Sequence, residues 1–306
     1  MIARVIEGMD MREYLSAPGL SAGVLTTLLD ECPAAALFAY ESRGGNGDAD
    51  DGSDAGSIGH SILLEQSEAC VAVIEADDWR TKAAKEAREI ARASGKTPIL
   101  AHKLPIIRAM VKSAGDFISE LRAEEPAVWA AFQPDGGKSE VTVLWDDDGT
   151  PCKLRVDRLS SDARVAVDAK FTGQSAEPDA YSRSRISEMA IRAAWYRRGI
   201  KAAFETVPEY LFLVTQQSAP FLSSLIGVEP ALAAYGDAEV ERGLAVWRHC
   251  LASGEWPGYP RRVAYPSAPA WLMARAEDRA IEGDIFRERA HPPLSWPERQ
   301  LLGTQA

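Results

Sequence analysis

The spacing of apolar side chains divides the chain into a helical first half and a strand-rich centre. Over residues 16–40, Leu20, Val24, Leu25, Leu28 and Leu29 recur at helical intervals. This predicts a helix with Ser21 as its N-cap, broken at Pro33 and followed by another turn or two. Residues 58–65, 79–93 and 104–121 keep the helical period. In the last of these, Ile107, Met110, Val111, Ala114, Phe117, Ile118 and Leu121 form one apolar stripe of the kind that faces a core. Between the first two helices, GGNGDADDGSDAGS at 44–57 has no apolar anchor and reads as a solvated surface loop. Its Asp48, Asp50, Asp51 and Asp54 imitate a calcium loop only in part, because the Gly and the closing Glu fall at the wrong positions for an EF-hand.

The period then shortens to two. Residues 140–145, 153–159 and 165–171 predict three strands, with DDDG at 146–149 closing a hairpin and 160–163 turning into the third. A helix over 182–198, a fourth strand over 209–215 and a helix over 230–253 follow, with no internal repeat. The order predicts an α+β fold: a central sheet led by an antiparallel three-strand meander, with an N-terminal helical region. One domain is expected over 1–256, with its helical part at 16–130, its core at 138–216 and its last helix at 230–253. Residues 257–306, rich in Pro, Arg and Trp, are expected to form a tail that wraps the surface or meets a partner.

Composition narrows the classes. The 306 residues are 46% hydrophobic, which excludes disorder as the main state. With 45 acidic against 34 basic side chains the net charge is −11, which excludes coating nucleic acid by bulk attraction but permits a local basic groove. Cys32, Cys70, Cys152 and Cys250 are scattered without a CxxC pair. Neither a zinc ribbon nor an iron–sulfur cluster is readable, and idle thiols in a reducing compartment are expected. No apolar run approaches the roughly 18 residues of a membrane span, and MIARVIEGMDMREY lacks a signal-peptide core, so the expected location is the cytoplasm without membrane attachment.

Strand parity carries the chemistry. In VAVDAKF, Val165, Val167, Ala169 and Phe171 point one way, towards a core covered by helix, while Ala166, Asp168 and Lys170 point the other. Asp168 and Lys170 thus stand about 7 Å apart along one face. In KLRVDRL, Arg155 and Asp157 alternate with Leu154 and Val156, so Asp157 also leaves the core. Antiparallel pairing can bring Asp157 beside Asp168, and Glu140 on the preceding strand can complete the cluster. Three carboxylates with one lysine make a hard-cation site of the kind Mg²⁺ shares with substrate phosphate. Such an ion polarises a phosphoryl oxygen and steadies the leaving alkoxide, and Lys170, its pKa lowered by burial and the cation, orients or deprotonates the attacking water. D-x-K alone recurs by chance, and its register with Asp157 and Glu140 is what gives it weight.

The run from EVTVLW through DDDGTPCKLRVDRL to VAVDAKFTG resembles the core of PD-(D/E)xK nucleases, in particular the exodeoxyribonuclease VIII (RecE-type) phage exonucleases, with lambda exonuclease a more distant relative. LSAGVLTTLLDECPAAALF is similar to that family's helix ending in a Pro-containing turn, and GSIGHSILLEQ to its Gly-x-x-x-His helix. The likeness spans residues 16–216. It implies a restriction-endonuclease-like α/β/α sandwich with a mixed sheet, and a Mg²⁺-dependent exonuclease, with Mn²⁺ as substitute, acting 5′-to-3′ on linear double-stranded DNA in phage-type recombination. Asp157 and Asp168 would be metal ligands, the Ala169 carbonyl a third oxygen, and His60 would approach the metal from its helix. Glu140 would hold a water or a second ion, and Lys170 would act on the nucleophile. Relatives form ring-shaped homo-oligomers and work with a single-strand annealing protein.

One departure stands out. Such nucleases commonly carry Gln four residues before a Tyr on the helix after the third strand; here Tyr196 is present and Arg192 takes the Gln position. Glu188, Arg192 and Tyr196 share one helix face, so Arg192 either grips phosphate or pairs with Glu188. Arg183, Arg185, Arg192, Arg197, Arg198 and Lys201 gather around this helix as candidate DNA-backbone contacts, while Trp195 reads as core. Rival readings are an endonuclease or a Cas4-like nuclease of the same fold, the latter disfavoured by the cysteine spacing, and a catalytically idle DNA-end-binding protein.

Overall fold

The computed structural model describes residues 3–42 and 51–288. The N-terminal part comprises β1 (Arg4–Ile6), α1 (Met11–Ser16), α2 (Ala22–Asp30), α3 (Pro33–Glu41) and α4 (Asp51–Glu65). There follow β2 (Val71–Ile74), α5 (Lys82–Ala93), β3 (Thr97–Leu100), α6 (Leu104–Glu120) and α7 (Pro126–Ala131). The centre holds β4 (Gly137–Asp147), β5 (Thr150–Ser160), β6 (Val165–Thr172), α8 (Pro178–Ser182), α9 (Ile186–Phe204), β7 (Glu209–Gln216), β8 (Ser223–Ile226) and α10 (Pro230–Ser253). These lie in a unit running from Met1 to Tyr259; a second unit, Pro260–Ala306, contains α11 (Ala270–Glu288), within the stretch expected as a tail.

The meander forms for the reasons its sequence gives. Asp148 and Gly149 both take positive φ, 46° and 83°, the pair a type I′ hairpin turn requires, and Asp146 Oδ1 accepts the Gly149 N–H at 2.8 Å. β4 and β5 run antiparallel from there, and β5 returns antiparallel to β6. After β6 the chain crosses through α9 to β7, which lies parallel to β6, giving a six-stranded mixed sheet in the order β1-β4-β5-β6-β7-β8. β2 and β3 form a separate parallel pair.

Both faces of the sheet are covered, as in an α/β/α sandwich. α2, α9 and α10 pack Leu25, Ile191, Trp195, Leu244 and Trp247 onto Val143, Trp145 and Leu154. α6 and α7 pack Ile118 and Val128 onto Val165, Val167, Leu211 and Leu213. Ile58 of α4 joins Ile107 and Met110 of α6 over β2 and β3. Ser21 caps α2 by accepting the Val24 N–H, and Pro33 opens α3 at its first turn, where its missing N–H costs nothing. Trp195 is fully buried and donates to the Lys153 carbonyl at 3.1 Å, a core residue as expected.

Two expectations change. The face carrying Ala166 and Asp168 is not open: α9 covers it, and Asp168 is 2% exposed. Alternation marks which side chains face together, but not that a parallel crossover seals the second face. The loop expected at 44–57 is helix from Asp51 onward, residues 43–50 lying outside the described part. Asp54, read as a solvated acid, is buried against Arg92 at 3.1 Å and Arg88 at 3.4 Å, both on α5. No described helix is long and apolar enough to cross a membrane.

Candidate active site

The site begins where β5 and β6 part. They pair through Arg158 opposite Val167 and Leu159 opposite Ala166. At the next position Asp157 reaches across with its side chain, and Oδ2 accepts the Ala169 N–H at 2.8 Å. On the other side of β5, Ser139 faces Arg158 and Val141 faces Val156, so Glu140, Asp157 and Asp168 fall in one row across three strands.

Glu140 has φ of +56°, a left-handed conformation that is rare inside a strand and costs on the order of 1–3 kcal/mol. Side-chain alternation breaks in this row. Val141 and Val156 point into the α9-side core, whereas Arg158 points the other way and donates to the Ala131 and Gln133 carbonyls at the end of α7.

His60 arrives from α4. That helix sits close because Gly59 has no side chain: a Cβ there would meet Met110 Cε at 2.7 Å and the Phe171 ring at 3.1 Å. His60 Nε2 lies 2.8 Å from Asp157 Oδ2 and Nδ1 lies 3.1 Å from Glu140 Oε1. Burial alone would lower the His60 pKa; the Asp157 and Glu140 carboxylates outweigh it and hold it up at about 10. Burial works against the Asp157 carboxylate, but the charge of His60 prevails and keeps it far below the usual range.

Asp168 stands beside this group. Lys170 Nζ lies 2.6 Å from its Oδ2 and Arg192 Nη1 3.5 Å from its Oδ1. Arg192 therefore pairs with Asp168, not Glu188, because the β6–α9–β7 crossover returns the helix over the strand. An open cavity of about 530 Å³ fronts the site, lined by His60, Glu140, Arg155, Ala169 and Lys170 with Met11, Ser57 and Ser61.

The other expected DNA contacts divide. Arg183 is exposed, and Arg185 donates to the Tyr181 carbonyl and to Gln174 Oε1. Tyr196 is buried, its ring 5.0 Å from Tyr210 and 5.7 Å from the Arg192 guanidinium. Arg197 and Arg198 turn to α10, Arg197 facing Asp237 at 3.9 Å and Arg198 pairing with Glu241 and with Asp147. Their place on α9, five and six residues past Arg192, puts them on faces that pack against α10 and the β4–β5 hairpin. Sequence reading missed Met11 and the structural part of Arg155, since nothing local says that the first residues fold back to the site.

The donor set suits a divalent cation. Among the described residues, ligating atoms of His60, Glu140 and Asp157 all lie within 4.8 Å of one another; Asp168 does not join that group. Two carboxylates and an imidazole, with no sulfur, match Mn²⁺ or Mg²⁺ better than a thiophilic ion. Asp168 Oδ2, buried, is taken up by the Lys170 ammonium 2.6 Å away.

Residues 24–269, most of the chain, match the family described as a PDDEXK-like domain of unknown function (DUF3799). The chain belongs to this family. The PD-(D/E)xK superfamily expected from the strand motifs holds. No curated protein matches the chain in sequence. Among solved structures, a candidate exonuclease from Eubacterium rectale aligns with 84% of this chain and 91% of its own length, at 12% identity and a TM-score of 0.49.

Proposed function

We propose that this PDDEXK-like domain is a Mg²⁺- or Mn²⁺-dependent deoxyribonuclease that degrades linear double-stranded DNA from its ends, 5′-to-3′, in phage-type recombination. The observation that carries the reading is the convergence of Glu140, Asp157 and His60 on a gap between strands, with Lys170 on the same open cavity. When bound, the cation supplies Lewis-acid polarisation of the phosphodiester.

The chain's own residues do the rest. Glu140, Asp157 and His60 would hold the cation, and the Ala169 backbone is fixed beside them by the Asp157 bond. Asp168 holds the Lys170 ammonium at 2.6 Å, so Nζ stays at the cavity where an attacking water can be hydrogen-bonded and aimed. Arg192 balances the Asp168 charge from behind. The exonuclease polarity, a ring of several copies and a single-strand annealing partner follow the likeness to RecE-type enzymes, and belong to the same proposal.

End-labelled linear duplex and covalently closed circles, each incubated with Mg²⁺, Mn²⁺ or chelator, test it. Label released from linear DNA alone, only with metal, is the expected result. Cutting of circles would make the protein an endonuclease, and end binding without degradation under either ion would remove the enzymatic reading.

A further inference from the structure

Lys153 and Arg155 stand two apart on β5 and share one face. Lys153 Nζ donates to the carbonyls of Tyr14, Leu15 and Ala17 at 2.9, 3.0 and 2.8 Å, satisfying the open end of α1. Arg155 donates through Nη1 to the Met9 carbonyl and through Nε to Glu140 Oε2. Two basic side chains thus strap residues 9–17 across the sheet beside the site. Met11 of this strap lines the site cavity.

The Arg155 side chain is 10% exposed and that of Glu140 9%. Both oxygens of Glu140 are claimed: Oε1 faces His60 and Oε2 accepts from Arg155. The Glu140 backbone is in the left-handed region, so its own main chain does not hold the carboxylate in a common strand orientation. Arg155 reaches it from the neighbouring strand, directly opposite Thr142, and the planar guanidinium fixes the carboxylate while its other edge holds Met9.

We infer that Arg155 is a positioning residue for Glu140, and that through it the segment 9–17 is coupled to cation binding. The inference rests on the cation site proposed above. A ligating carboxylate held by an outer partner loses roughly 10- to 100-fold in metal affinity when that partner is removed.

The test uses the full chain, Mn²⁺ titration by calorimetry, and hydrogen exchange of the 9–17 amides. Arg155→Gln is expected to weaken Mn²⁺ binding about tenfold or more. In the unaltered protein Mn²⁺ should slow exchange over 9–17, and in Arg155→Gln that response should vanish. Lys153→Met, which loosens the same strap without touching Glu140, should speed exchange there and weaken Mn²⁺ binding far less than Arg155→Gln does.

Unchanged affinity in Arg155→Gln overturns the inference, as does an equal loss of affinity in Lys153→Met, which would make the effect one of general packing. Exchange over 9–17 that ignores Mn²⁺ in the unaltered protein overturns the coupling. Should Arg155→Gln fail to fold, Arg155→Lys decides by the same readouts: weaker Mn²⁺ binding supports the inference, and unaltered binding removes it. Absence of Mn²⁺ binding to the unaltered protein is a separate result, because it fails the proposed cation site itself.

Discussion

His60 Nε2 and the Ala169 N–H meet the same oxygen of Asp157, each at 2.8 Å. One carboxylate oxygen therefore joins α4 to the strand that carries Asp168 and Lys170. Without a cation, the partner that balances it is the imidazolium of His60.

The first prediction concerns stability against pH in chelator. The His60 pKa is raised from 6.5 to about 10, so its contribution is fully present below about 6.5 and is lost as pH rises through about 10. Asp157 is shifted the opposite way: its contribution is present above about 4, the ordinary carboxylate value, and fades as pH falls below that. Denaturant melts should show an alkaline loss on the order of 2 kcal/mol between pH 7 and 10 that is absent in His60→Gln. An identical alkaline limb in that variant would refute the pairing.

The second concerns proton release. His60 must give up its proton to ligate a cation, so Mn²⁺ binding at pH 7 should release about one proton per ion. Calorimetry in two buffers of different ionisation enthalpy measures this directly, and equal heats in both would contradict it.

Much of this arrangement is legible in the sequence. Hairpin chemistry and period-two spacing locate the meander, and the ordered motifs single out His60, Glu140, Asp157, Asp168 and Lys170. The start of α4 is hidden, because DGSDAGS is poor helix-forming sequence and its helix rests on long-range contacts, Asp54 with Arg88 and Arg92. The pairing of Arg192 with Asp168 is equally hidden, since it spans 24 residues and depends on the crossover. Charges on α9 look alike in sequence, and only packing sorts Arg192 from Arg198.

The third prediction separates binding from chemistry. Lys170→Met should retain Mn²⁺ binding within about threefold yet lose DNA cleavage by about 10²–10⁴. Asp168→Asn should lose cleavage similarly and, because it leaves Lys170 and Arg192 beside a neutral amide, should also lower the melting temperature. Cleavage at the original rate in Lys170→Met would remove that residue from the reaction.

The fourth concerns Arg198. Asp147 is buried, bound by Arg198 and by Arg248 at 2.8 Å, and its carboxyl is held below the usual range, burial opposing and the Arg198 bond prevailing. Asp147→Ala leaves two arginines facing a void and should cost about 3–5 kcal/mol of stability. DNA affinity of the folded fraction should stay the same; a selective loss of affinity would return Arg198 to the DNA surface.

Two rows of main-chain pairing join β5 to β6, and the next link between them is the side chain of Asp157. That carboxylate is a stitch in the sheet as well as a candidate ligand. Whatever draws it aside, whether acid, a competing ion or substitution, also loosens the seam between the hairpin and the rest of the sheet. Here chemistry and architecture share one atom, and a change at Asp157 disturbs both at once.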